Sequence, residues 1–105
     1  MSNASGSIVS VGLDVAKATF EAAVMTRQDA QARSLAPGAF ARDPEGLARL
    51  IAAVETQAAA LSEPDIRVVM EATGPYSRQL AEWLTEARPA WRVGIVNPRR
   101  IKGFA

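Results

Sequence analysis

Three prolines in this chain stand where a helix should begin, in Asp43-Pro44-Glu45-Gly46, in Thr73-Gly74-Pro75 and in Asn97-Pro98. Proline lacks a backbone donor and has φ fixed near the helical value, so it stops a strand and is accepted in a first helical turn. The first of these starts has an Asp as cap and an acid in the first turn. Leu47, Leu50, Ile51 and Val54 follow at helical spacing, with Ala58 and Leu61 further on. That apolar face must pack on something, and a sheet is the natural partner. Ser62-Glu63-Pro64-Asp65 ends the helix. The second start opens a helix whose apolar set is Tyr76, Leu80, Trp83 and Leu84, stopped by Arg88-Pro89. The third start lies close to the last residue, Ala105.

The segments between these starts read as strands. Ile8 to Asp14 is short, apolar and rich in β-branched residues. Thr19 to Thr26 reads as its hairpin partner across Val15-Ala16-Lys17-Ala18. Ala32 to Phe40 holds a third strand, broken near Pro37-Gly38 because Pro and Gly weaken strands. Ile66 to Met70 and Trp91 to Val96 supply two more. The order β-β-(β)-α-β-α-β-α predicts an α/β fold: a mixed sheet, with an initial antiparallel hairpin and then parallel strands, flanked by helices. Right-handed crossovers set the two later strands parallel to the first. Residues 8–105 are expected to form one domain, and residues 1–7, with Ser2-Asn3-Ala4, read as a tag remnant or a disordered amino terminus.

In such sheets ligands bind at the carboxyl ends of strands, where strand order switches. Two acids stand at such ends: Asp14 in Val11-Gly12-Leu13-Asp14-Val15-Ala16-Lys17, and Glu71 in Val68-Val69-Met70-Glu71-Ala72-Thr73-Gly74. Singly, each is more simply a turn or strand-exit residue. On neighbouring strands they face each other, and two facing carboxylates repel unless a cation lies between them. The chain has no Cys and no His. Thiol nucleophiles and zinc-thiolate sites are therefore excluded, and so is the usual imidazole base. Oxygen donors point to magnesium or manganese. Asp14 and Glu71 are thus the candidate catalytic and metal-binding residues. Glu21 sits on the second strand, and the sequence leaves its face undecided.

Other residues near these two acids suit a phosphate. Gly74 permits close backbone approach, and the helix beginning at Pro75 aims its amides toward the site. Lys17, Thr73 and Tyr76 are candidate nucleic-acid contacts. For Lys17 a solvated hairpin lysine is an equal alternative, and for Tyr76 core packing is the stronger one. Trp83 and Trp91 read as core. The net charge of +1 is unevenly spread, since Arg88, Arg92, Arg99, Arg100 and Lys102 follow the last acid, Glu86. Arg99, Arg100 and Lys102 are therefore candidates for a nucleic-acid surface, against the alternative of a solvated helix face. No segment has the length and apolarity of a membrane span, and no secretory signal is visible, so a cytoplasmic location is expected.

Gly12-Leu13-Asp14-Val15-Ala16-Lys17, Glu71-Ala72-Thr73-Gly74-Pro75-Tyr76 and Val96-Asn97-Pro98, with Lys102 and Phe104, occur in an order and separation that resemble one known family. This is the amino-terminal, RuvC-like domain of the DEDD insertion-sequence transposases of the insertion-sequence one-ten group. The resemblance covers nearly all of the chain after residue 8. It implies a ribonuclease-H-like fold and magnesium-dependent DNA strand cleavage and exchange. It makes Asp14 the first acid of the motif and Glu71 the second. Two further aspartates, a carboxyl-terminal domain with a serine nucleophile, and a guide RNA encoded by the element complete the family's machinery. None of these protein parts is in this sequence, so the chain is expected to be a truncated domain, inactive alone. DNA is the implied partner, and a homo-oligomer is expected.

Two other readings compete. Half of an actin-like or sugar-kinase ATPase also begins with a strand, an Asp and a hairpin. That hairpin usually carries a Gly soon after the Asp, and Val15-Ala16-Lys17-Ala18 has none. The third reading is a non-catalytic nucleic-acid-binding or dimerisation module, which the basic carboxyl end suits.

Overall fold

In the computed structural model, which describes residues 6–29 and 31–97, burial along Ile8–Val15 (β1) alternates without a break. Val9, Val11, Leu13 and Val15 are buried, while Ser10, Gly12 and Asp14 are exposed. A strand with one buried face behaves in this way because successive side chains point to opposite sides. Thr19–Gln28 (β2) alternates likewise, burying Phe20, Ala22, Val24 and Thr26. The hairpin is antiparallel and pairs Asp14 with Glu21 and Leu13 with Ala22. Gln31–Ala41 (β3) pairs antiparallel with β2, and Phe20 stacks on its cross-strand partner Phe40, with ring centroids 5.4 Å apart.

The expected break at Pro37-Gly38 is a bulge within one continuous strand. The pairing steps from Ala22–Gly38 to Val24–Leu35, which leaves an extra residue on β3. Because β3 is the edge strand, Pro37 need not donate to a further neighbour. Gly38, at φ +108°, takes up the unusual backbone conformation.

The helix Pro44–Ala58 (α1) begins as the sequence predicts: Asp43 is extended, and its Oδ1 accepts from the Gly46 amide at 2.7 Å. It ends earlier than expected. Beyond Ala58 the Leu61 amide bonds back to the Ala58 carbonyl, and Glu63 takes a positive φ of 45°. Asp65–Glu71 (β4) follows and pairs parallel with β1, then Gly74–Ala87 (α2), then Arg92–Val96 (β5), parallel to β4. The five-stranded sheet has the order β3-β2-β1-β4-β5. An antiparallel hairpin extended by parallel strands with crossover helices is the arrangement of a ribonuclease-H-like fold. The third helix expected from Asn97-Pro98 lies outside the described residues.

Both helices cover the same face of the sheet. Leu47, Leu50, Ile51 and Val54 of α1 and Leu80 and Leu84 of α2 join one core with the buried residues of β1, β2 and β4. Each fully buried leucine contributes about 1.5–3 kcal/mol relative to an exposed one. Trp91 belongs to this core, and Trp83 packs against it. At the lower end of β1, Ser7 is buried; its Oγ donates to Gln28 Oε1 at 2.8 Å and its carbonyl accepts from the Asp65 amide at 2.8 Å. Among the described residues the opposite face of the sheet is left open. Ser10, Gly12, Asp14, Val69 and Glu71 are exposed there.

Candidate active site

The parallel pairing of β1 with β4 runs from Ile8–Asp65 to Leu13–Met70. One residue further along each strand stand Asp14 and Glu71. Leu13 and Met70 are both buried against the helices, so the next side chains must point to the open face. Both acids are exposed there. Neighbouring strands lie about 4.8 Å apart, which brings the two carboxylates side by side. Glu21 is the cross-strand partner of Asp14 on the other side. Its face, undecided from sequence, is settled by this register: Phe20 and Ala22 are buried, so Glu21 is turned outward with Asp14.

The three acids line one hollow in the open face, together with Gly12, Ala23, Ala36 and Val96. The hollow forms because small residues occupy the middle strands and the β3 bulge borders it. Nothing stands within 4 Å of where a Cβ on Gly12 would lie. Among the described residues, no three of His, Cys, Asp and Glu are close enough together to hold a metal ion. Glu21 therefore does not complete a three-carboxylate centre, and the adjacent pair Asp14–Glu71 is what the chain presents. An all-oxygen pair suits magnesium or manganese, which fill their remaining positions with water and substrate oxygens.

The strand exit after Glu71 is tied down by a residue that sequence reasoning missed. Ser77 is 1% exposed; its Oγ accepts from the Thr73 amide at 2.8 Å and donates to the Glu71 carbonyl at 2.7 Å. Thr73 Oγ1 reaches the same carbonyl at 3.2 Å instead of capping α2. The first helical residue is Gly74, at φ +54°, and Pro75 is the second. A positive φ at this point favours glycine for backbone reasons; nothing lies within 4 Å of where a Cβ would stand, so the expected close approach is not what requires it. The signal for Ser77 is its position as the fourth helical residue, one past the capping-box position, from which a short polar side chain still reaches back to the capping residue.

A second missed residue is Arg42, between β3 and the α1 cap. Its backbone amide donates to the Ala18 carbonyl at 2.9 Å. Its Nε donates to the Lys17 carbonyl at 2.6 Å, and its Nη1 donates to Gln79 Oε1. Its guanidinium lies over the Tyr76 ring, 4.6 Å from the centroid. No periodic pattern marks such a residue. Tyr76 is half-buried and packs against the core, with the Arg42 guanidinium on its ring. The Lys17 side chain is exposed in the turn that follows Asp14, and Thr73 is half-buried at the start of α2. Arg99, Arg100 and Lys102 lie outside the described residues.

Comparison with known proteins follows the same line. A sequence profile with the description transposase, for the DEDD enzymes of the insertion-sequence one-ten group, matches residues 11–105. No curated protein matches the chain. Among solved structures, the Aquifex aeolicus PPX-GPPA enzyme superposes with a TM-score of 0.51 at 10% identity, over 90% of this chain and 37% of that one. The type II variant of the Aquifex aeolicus Ppx/GppA phosphatase gives a TM-score of 0.52 at 10% identity, over 89% of this chain and 36% of that one. The chain thus spans little more than a third of either. At such identity the likeness is one of fold alone. The profile match covers both acids and the turn and helix start that follow them: the chain belongs to the DEDD transposase family of the insertion-sequence one-ten group.

Proposed function

We propose that the chain is the amino-terminal part of a transposase catalytic domain that carries out magnesium-dependent DNA strand cleavage and exchange during insertion-sequence transposition. The observation that supports this reading most is the placement of Asp14 and Glu71, adjacent at the carboxyl ends of two parallel strands and facing the same hollow. The family match favours it over the ATPase and binding-module readings.

Asp14 and Glu71 would hold the magnesium or manganese ion. When bound, such an ion activates the attacking water or hydroxyl and stabilises the leaving oxygen. The chain's own residues supply the rest. Lys17, three residues after Asp14, offers its ammonium to a neighbouring phosphate. Thr73 and the backbone at Gly74 present a polar edge at the start of α2 that accepts a nucleic-acid strand. Tyr76 borders that edge. Arg99, Arg100 and Lys102 bind the sugar-phosphate backbone of DNA, or of an element-encoded guide RNA, by charge. The family's two later aspartates do not occur after Glu71 in this sequence, where the only acids are Glu82 and Glu86. The chain alone is therefore proposed to bind metal weakly and not to cut. A second copy and a cytoplasmic location fit this work on DNA.

The test is strand cleavage by the complete transposase with Asp14→Asn and Glu71→Gln. Each change is expected to abolish magnesium-dependent cleavage while DNA is still bound. Cleavage that persists in either variant would overturn the assignment.

A further inference from the structure

Three elements meet at the end of the sheet that carries the acids: the β1–β2 turn, the end of β3, and the first turns of α2. Among the described residues, the Arg42 side chain joins the turn at Lys17 to α2 at Tyr76 and Gln79. Arg42 leaves the end of β3 with its amide bonded to Ala18. Its side chain then uses one nitrogen on the Lys17 carbonyl and another on Gln79 of α2, and lays its flat face on Tyr76 of α2. A planar fork is required for this. Lysine keeps the charge but has one ammonium, which cannot reach a carbonyl and an amide oxygen while stacking on a ring.

We infer that Arg42 is a positioning residue that latches the turn after Asp14 to the helix that follows Glu71, and so fixes the spacing of the two carboxylates. Asp14 is held along β1 by strand pairing, but it lies next to the last β1 residue, Val15, and beyond that only the turn guides the backbone. Glu71 is held on the other side through Ser77 of the same helix. The first two turns of α2 thus serve as a common jig: Ser77 grips one strand end, and Tyr76 and Gln79 grip the other through Arg42. The inference rests on the metal-site reading only where it concerns metal affinity. The latch itself is a matter of turn order.

The test is NMR of this chain with Arg42→Lys, and with Gln79→Ala as a milder variant on an exposed residue. In the wild type the Arg42 Nε–H is expected as a resolved, slowly exchanging signal, and the two amides that pin the turn, those of Ala16 (to the Thr19 carbonyl) and Arg42 (to the Ala18 carbonyl), as protected. In Arg42→Lys the turn amides lose protection while Val11 and Val24 in the sheet keep theirs. Manganese affinity, read from paramagnetic broadening at Asp14 and Glu71, falls severalfold, because the turn after Asp14 is no longer tied to the helix that follows Glu71. Gln79→Ala shifts both readings in the same direction by less. Rescue of both by lysine at position 42 would overturn the inference and make Arg42 a simple cation. If the wild type takes up no manganese, the metal-site reading fails, and the latch stands or falls on turn protection alone.

Discussion

Ser77 Oγ donates to the carbonyl of Glu71 at 2.7 Å from within the first turns of α2, so a helix residue fixes the backbone of the acid that precedes the helix. The same oxygen accepts from the Thr73 amide at 2.8 Å. One buried hydroxyl therefore satisfies two backbone groups at the point where strand becomes helix. Ser77→Ala takes the side-chain partner from the Thr73 amide and leaves the Glu71 carbonyl with Thr73 Oγ1 alone as a side-chain donor, and is expected to cost about 1 kcal/mol. Urea unfolding checks this. An unchanged midpoint would mean that water or a shifted backbone replaces the hydroxyl.

Gly46 is required by contact. A Cβ there would lie 1.8 Å from the carbonyl oxygen of Ala41, and that obstacle is backbone. Helix α1 must therefore move away from the end of β3 to admit any side chain. Gly46→Ala, which raises helix propensity on an exposed helix, is expected here to destabilise by more than about 1 kcal/mol, in the range of overpacking. A rise in melting temperature would show that α1 is not held against Ala41.

The cap of the same helix gives a gentler test. Asp43→Ala removes the bond to the Gly46 amide and is expected to cost about 1 kcal/mol, typical of lost N-caps, with Asp43→Asn nearly neutral. Chemical denaturation of both variants separates the hydrogen bond from the charge.

Arg88 donates to both carboxylate oxygens of Glu55, at 2.6 and 3.2 Å, and this hydrogen bonding holds the Glu55 carboxyl below its ordinary range. A depressed folded pKa adds stability that is present above the ordinary carboxylate pKa. It is lost as pH falls through the lowered value. Glu55→Gln is therefore expected to be slightly less stable than wild type at neutral pH, with the difference vanishing in acid. Both side chains are nearly half exposed, so the difference is small and shrinks in salt. A gap that widens in acid would reverse the sign of the argument.

Arg99 and Arg100 sit in the stretch of the chain that carries no acid. If they touch phosphate, each Ala substitution lowers the slope of log affinity against log salt by about one for duplex DNA. Filter binding or fluorescence anisotropy at several salt concentrations reads this directly. An unchanged slope removes them from the interface.

Much of the fold was legible because it rests on periodicity and on punctuation. Leu47, Leu50, Ile51 and Val54 mark the buried face of α1, and Asp43-Pro44 marks its start, whatever the tertiary context. The adjacency of Asp14 and Glu71 followed from the strand order and the crossover rule. Pro37-Gly38 misled, since a Pro-Gly pair breaks an interior strand but only bulges an edge strand, and edge position is not written locally. The end of α1 was read too late because Ala59 and Ala60 are good helix formers, while Glu63 in a left-handed conformation leaves no clear mark. The outward turn of Glu21 had to wait for the hairpin register. Arg42 was out of reach for a different reason. Its partners Lys17, Tyr76 and Gln79 are tens of residues away or on another element, and a single arginine before a cap has no pattern of its own.

The most direct measurement of the central claim is a manganese titration followed by NMR, comparing this chain with Asp14→Asn and Glu71→Gln. The account predicts broadening centred on both residues in the wild type and its loss in each variant, because the two carboxylates act as one site. Broadening that survives either substitution, or that centres elsewhere, would contradict it.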